Sequence, residues 1–172
     1  MKRRTALKNL SAALGGAIAL PTWAKGWTPA SVHTYTFASS TQEALLAEIV
    51  ETIIPETNTP GAKSLKVHQF ALRMINDCYG EAAQKNLAQG LTATDELAQK
   101  NYQKPFAACD STQRLAILQQ MSQSSDATQK QFMTMIKNLT IQGYTNSEYF
   151  MVNVQKYNMA PGFYHGCVPV EK

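Results

Sequence analysis

STQEALLAEIVETIIP, residues 40–55, decides the fold. Leu45, Leu46, Ile49, Val50, Ile53 and Ile54 recur at i, i+1, i+4, i+5, i+8 and i+9, which lays an apolar stripe along one face of a helix. Ser40 and Glu43 stand three apart as a capping box, each side chain satisfying an orphan backbone N–H of the other. Pro55 ends the helix, because the residue before a proline avoids the α region.

The same period continues outward. After a polar loop, PETNTPGAKSLK (55–66) with its Pro60-Gly61 turn signal, Val67, Phe70, Ala71, Met74, Ile75 and Cys78 form a second stripe that Gly80 closes. Cys78 falls on that stripe and reads as a small buried hydrophobe. A third helix covers about 81–102 with Ala83, Leu87, Leu91 and Leu97 inward, and Gly90 is placed to bend or divide it. Asp110 caps a fourth helix, with Gln113 at N3 and Leu115, Leu118 and Met121 beneath. A fifth runs from about 126 to 142 with Phe132, Met135, Ile136 and Leu139 inward and Gly143 as its C′ residue. Thr145-Asn146-Ser147-Glu148 reads as another capping box, opening a short sixth helix toward Tyr157. The tail PGFYHGCVPVEK (161–172) holds two Pro and two Gly and is no helix. No strand pattern of alternating β-branched residues interrupts the series. The fold class is all-α: a compact, irregular bundle of five or six helices with an irregular C-terminal tail.

The chain begins differently. Lys2, Arg3, Arg4 and Lys8 precede an apolar run of 11 residues, LSAALGGAIAL (10–20), too short for the ~20 that span a bilayer. Thr22-Trp23-Ala24 offers a small-x-small cleavage site, so 1–24 reads as a signal peptide, 25–38 as a linker and 39–172 as the helical domain. Arg3, Arg4, Leu7 and Lys8 fit the twin-arginine export pattern, while Lys2 and Ala6 depart from it; an ordinary secretory signal with two adjacent arginines is the competing reading. The net charge of +4 belongs to this leader, which holds four of the 16 Lys+Arg and none of the 12 Asp+Glu. The mature part is neutral at 12 against 12, which removes the argument for nucleic-acid binding. No later segment is apolar enough to span a membrane, so the location expected is the periplasm, with membrane association only through partners.

Chemistry is sparse in this sequence. It contains no HExxH, CxxC, CxxCH, GxSxG or glycine-rich phosphate loop outside the leader. Carboxylate pairs such as Glu48/Glu51 and Asp95/Glu96 sit on polar helix faces and read as solvated surface. The serines of 122–125 lie in a polar loop, and Met133, Met135 and Met151 read as core. His33, His68 and His165 are far apart; His165-Gly166-Cys167 is a weak metal signal. No catalytic, cofactor-binding or metal residue is assigned in this chain. Three cysteines in an oxidising compartment leave at least one unpaired. Cys109 stands outside any stripe and is the better internal partner for Cys167; the alternative is a bond from Cys167 to a partner chain.

Longer words of the sequence carry a resemblance. IIPETNTPGA (53–62) with VHQF (67–70), Gly90-Leu91 and Phe106, LTIQGY (139–144) with Ser147-Glu148, and Tyr157, Pro161-Gly162-Phe163 and GCVP (166–169) resemble, in order and spacing, the gluconate 2-dehydrogenase subunit 3 family over about residues 41–170. The chain has Thr145-Asn146 where that family carries Phe-Thr. The resemblance implies a small, non-catalytic accessory subunit of a periplasmic dehydrogenase complex of the glucose-methanol-choline type. In such a complex a large subunit holds FAD and oxidises a sugar, sugar acid or polyol, and a c-type cytochrome subunit takes the electrons. The small subunit holds no cofactor, supplies the twin-arginine export signal to the translocase and supports maturation of the flavoprotein. Pro60, Gly61, Tyr144, Glu148, Pro161, Phe163 and Tyr164 are the candidate partner interface. Two rival functions are a stand-alone periplasmic ligand-binding protein, which requires a pocket lined by stripe residues, and an enzyme using His165 and Cys167 as base and nucleophile, which requires an accessible low-pKa thiol.

Overall fold

The computed structural model describes residues 37–160 and Gly162. Within them the order is α1 (Ser40–Ile53), α2 (Val67–Asp77), α3 (Glu81–Tyr102), a 3₁₀ turn (Phe106–Ala108), α4 (Ser111–Gln123), α5 (Ala127–Thr145) and a π turn (Phe150–Val154), with no strand. The all-α expectation holds. The last long helix, α5, is the hub, packing against α1, α2, α3 and α4. Its fully buried Phe132, Ile136 and Leu139 meet Leu46 and Ile49 of α1, Leu72 and Ile75 of α2, Leu87 and Leu91 of α3 and Ile117 and Met121 of α4 in one core. Buried hydroxyls are satisfied within their own helices: Thr94 donates to the Gly90 carbonyl at 2.7 Å and Thr140 to that of Ile136 at 2.7 Å.

Several expected details shift. The first capping box forms one residue early, between Ser39 and Gln42, through bonds of 3.2 and 3.0 Å. That frees Glu43 to face His68 and Gln69 on α2. The Asp110–Gln113 box forms as expected. Gly90 neither bends nor divides α3; it is buried because the Phe132 ring lies on its Cα. Gly143 is not a C′ residue either, since α5 continues to Thr145, and a Cβ there would stand 2.7 Å from Phe70 Cδ1 and 2.9 Å from Val67 Cγ1. Both glycines mark close helix approach, not helix ends.

The second capping box is absent, since Ser147 donates to the Tyr144 carbonyl at 2.6 Å, but the short sixth helix expected toward Tyr157 is present as the π-helical Phe150–Val154. Leu115 is exposed, and Ile117 takes its place in the core. Cys78 is exposed as the C-cap of α2, where the helix ends before the stripe would bury it. Leu72 fills the buried position on that helix.

Candidate functional site

The longest connection between helices, residues 54–66, looks from its composition like solvated loop, yet it is closely tied down. Glu51, in the last turn of α1, accepts from the backbone N–H groups of Glu56 at 2.8 Å and Lys63 at 2.9 Å. Gly61 is buried against that carboxylate; a Cβ there would lie 2.5 Å from both Glu51 oxygens and 2.7 Å from the Glu56 nitrogen. Only glycine admits this approach. The Ala62 N–H donates to the Ile54 carbonyl at 3.0 Å, and Val67 N–H to that of Ala62 at 3.0 Å, leading the chain into α2. From the far end of the bundle, the Tyr144 hydroxyl donates to the Pro60 carbonyl at 3.1 Å.

A second polar node fixes the base of this loop. Glu48 pairs with the Lys63 ammonium at 2.6 Å and with the Arg114 guanidinium of α4. Arg114 also donates to the carbonyls of Cys109 at 2.9 Å and Ala107 at 2.6 Å, and lies 5.7 Å from the Phe106 ring centroid. A planar, five-donor side chain suits this position and an ammonium does not. Burial pushes the Glu48 carboxyl up, but the Lys63 and Arg114 contacts outweigh it and hold it below its ordinary value. The carboxylates expected to be solvated surface are thus structural: Glu48 and Glu51 organise the loop.

Beside the loop, Leu65, Val67, Phe70, Gly143 and Val152 floor a groove of about 570 Å³ with Ser147 and Glu148 on its rim. The Tyr144 ring meets Phe150 edge-on at 6.0 Å between centroids. Past the groove, Val154, Tyr157 and Met159 are exposed.

Of the candidate interface residues, Pro60, Gly61 and Tyr144 come together around the loop, and Glu148 lies on the adjoining groove. Pro161, Phe163, Tyr164, His165 and Cys167 lie outside the described residues, as do Arg3, Arg4, Leu7 and Lys8 of the leader and the 25–36 part of the linker. Among the described residues Cys109 is a free, buried thiol whose Sγ donates weakly to the Pro105 carbonyl at 3.6 Å; its expected partner Cys167 lies outside them. His68 is buried, with Nε2 3.8 Å from Glu43 and Nδ1 without a partner. Burial holds its pKa down, the Glu43 carboxylate opposes that, and Lys63 and Lys66 add to it. Among the described residues there is no group of three potential metal ligands, and no helix is long and apolar enough to cross a membrane. The arrangement supplies a rigid surface, with a braced loop at one side and a shallow groove at the other.

Sequence reasoning missed Glu51 and Arg114. The signal for Glu51 was available in its place one turn before a proline-glycine loop, where a carboxylate reaches loop N–H groups; Arg114 had no such local signal, because its partners come from α1 and the 3₁₀ turn.

No curated protein and no solved structure matches the chain. A family model does, that of gluconate 2-dehydrogenase subunit 3, over residues 40–162, a span that takes in every helix of the described residues, the braced loop and the groove. The chain belongs to the gluconate 2-dehydrogenase subunit 3 family.

Proposed function

We propose that this chain is the non-catalytic small subunit of a periplasmic FAD-dependent dehydrogenase of the glucose-methanol-choline type, acting on a sugar, sugar acid or polyol. The observation that carries the reading is the family match across residues 40–162. The large subunit holds FAD and performs the oxidation; a c-type cytochrome subunit receives the electrons. The small subunit contributes surface, not chemistry, and the neutral charge of the mature part suits a contact made by burial and hydrogen bonds more than by electrostatic steering.

Its second contribution is export. A flavoprotein folded around FAD in the cytoplasm needs a route that carries folded proteins, and a small subunit bound early and bearing Arg3 and Arg4 supplies that route in trans. Co-expression of the affinity-tagged full chain with its cognate flavoprotein tests both parts. The expected result is a yellow, FAD-containing complex recovered from the periplasm. Arg3→Lys together with Arg4→Lys keeps the charge but removes the guanidinium geometry, and is expected to strand both subunits in the cytoplasm. Recovery of the tagged chain free of flavoprotein counts against the subunit reading; normal periplasmic activity of the double-lysine variant counts against the export reading alone.

A further inference from the structure

Thirteen residues lie between Ile53 at the end of α1 and Val67 at the start of α2. Helix–helix connections in bundles usually take about 2–8 residues, and longer ones without secondary structure are commonly either slack or functional. This one is not slack. Its backbone donors at Glu56 and Lys63 are fixed by one carboxylate, its Pro60 carbonyl by Tyr144, its Lys63 side chain by Glu48 and its Ser64 hydroxyl by the Glu56 carboxylate. The bracing by Glu48, Glu51 and Tyr144 comes from α1 and α5, and the Glu56–Ser64 bond lies within the loop. These bonds leave Glu56, Thr57, Asn58 and Thr59 exposed on the outside. The tip is closed by a Thr57 N–H to Thr59 carbonyl bond of 3.0 Å.

Of this connection the bundle buries only Gly61 and Ala62, whereas a partner gains much from a tip whose shape is set before contact, because ordering entropy then does not oppose binding. We propose that residues 56–59 are the docking tip by which the flavin-binding subunit recognises this chain, and that Glu51 is the positioning residue that holds the tip in its binding shape. This rests on the assignment of the chain as a dehydrogenase subunit. The tip offers two hydroxyls and an amide, and its single charge, Glu56, is already engaged by Ser64. The facing surface of the partner is therefore one that hydrogen-bonds to these hydroxyls and the amide and meets the Glu56 carboxylate with a donor.

The test uses the complex of tagged full chain and flavoprotein. Asn58 is exposed and makes no hydrogen bond with the other described residues, so Asn58→Arg leaves the fold alone while blocking the tip. Its expected effects are an unchanged unfolding temperature and at least a tenfold loss of retained flavoprotein. Glu51→Gln sets an amide NH₂ against a backbone donor; faster amide exchange at Glu56 and Lys63 and weaker retention are expected. Wild-type retention by Asn58→Arg overturns the docking tip. Loss with Asn58→Arg but wild-type retention by Glu51→Gln leaves the tip standing and overturns the role of Glu51. Should Glu51→Gln not fold, Asn58→Arg still decides. A wild-type chain that retains no flavoprotein is a different result, and removes the subunit assignment itself.

Discussion

The hydroxyl of Tyr144 donates to the carbonyl of Pro60 at 3.1 Å, so the last turn of α5 holds the loop after α1 at a residue 84 positions earlier in the chain. The two ends of this bond come from the two longest motif-bearing stretches of the chain, 53–62 and 139–148, which the fold makes into one surface. Each helps to define a single face.

Tyr144→Phe isolates that bond. The ring keeps its edge-on contact with Phe150, so only the hydroxyl is lost. A net hydrogen bond contributes about 1 kcal/mol, and for a domain of this size that lowers the unfolding temperature by about 3–5 °C. Amide exchange at Ala62, close to the released carbonyl, is expected to quicken while that of the α3 core stays unchanged. Unchanged exchange in the loop rules out this bond as its clasp.

Gly90→Ala is expected to destabilise the domain, although alanine is the better helix former by about 1 kcal/mol. The Phe132 ring occupies the place of the added Cβ, and overpacking costs about 1–3 kcal/mol. Phe132→Ala removes the Cγ and both Cδ carbons that the added Cβ meets, so Gly90→Ala is expected to cost less in that background, a coupling that a double-mutant cycle in urea measures. Additive effects of the two changes would mean that the ring and the glycine are not in contact.

These two glycine-centred or loop-centred features show where the sequence was legible. The stripe of Leu46, Ile49 and Val50 and the cap at Asp110 are local patterns, and the helices they specify are present. Gly90 and Gly143 were misread as a bend and a helix end, because a glycine in a helical pattern looks the same whether it frees the backbone or admits a neighbouring ring. The braced loop was legible as a turn but not as an ordered one. Its order comes from Glu51 and Tyr144, whose reach depends on how α1 and α5 pack. Leu115 and Cys78 fell on the expected stripes but outside the core: Ile117 holds the neighbouring position on α4, and α2 ends at Asp77.

Acid is expected to weaken the fold in two steps. His68 is buried and its pKa is held below the ordinary 6.5, chiefly by burial, with Glu43 opposing and Lys63 and Lys66 assisting. The unfolded chain therefore takes up this proton first, so the contribution of His68 is complete above 6.5 and is lost as pH falls from there toward its folded value. Glu48, pushed up by burial but held below 4.5 by Lys63 and Arg114, contributes stability above 4.5 that is lost as pH falls through its lower folded value. In thermal unfolding across the acid range, His68→Gln is expected to remove the first decline and keep the second. A variant whose profile matches wild type above pH 4.5 shows that His68 is not the group responsible.

The cysteines give the last prediction. Cys78 is exposed at the end of α2, whereas Cys109 is 4% exposed, its thiol turned to the Pro105 carbonyl and its own carbonyl held by Arg114. In the Cys167→Ser chain, a thiol reagent is expected to label one cysteine rapidly in the folded protein and the second only on unfolding, since exposure governs access. The full chain then settles the pairing. Its sequence holds three cysteines, so a chain in which Cys109 stays free, as it is among the described residues, exposes three reactive thiols on unfolding without reductant. A count of one, with Cys78 the labelled residue and three restored by reductant, means that Cys109 and Cys167 are joined after export. That bridge closes a loop of roughly 58 residues, worth about 4 kcal/mol in the chain-entropy model, so its reduction must also lower the unfolding temperature. Thiol count and unfolding temperature must therefore move together: a count of one with no effect of reductant on stability excludes a bridge that supports the fold.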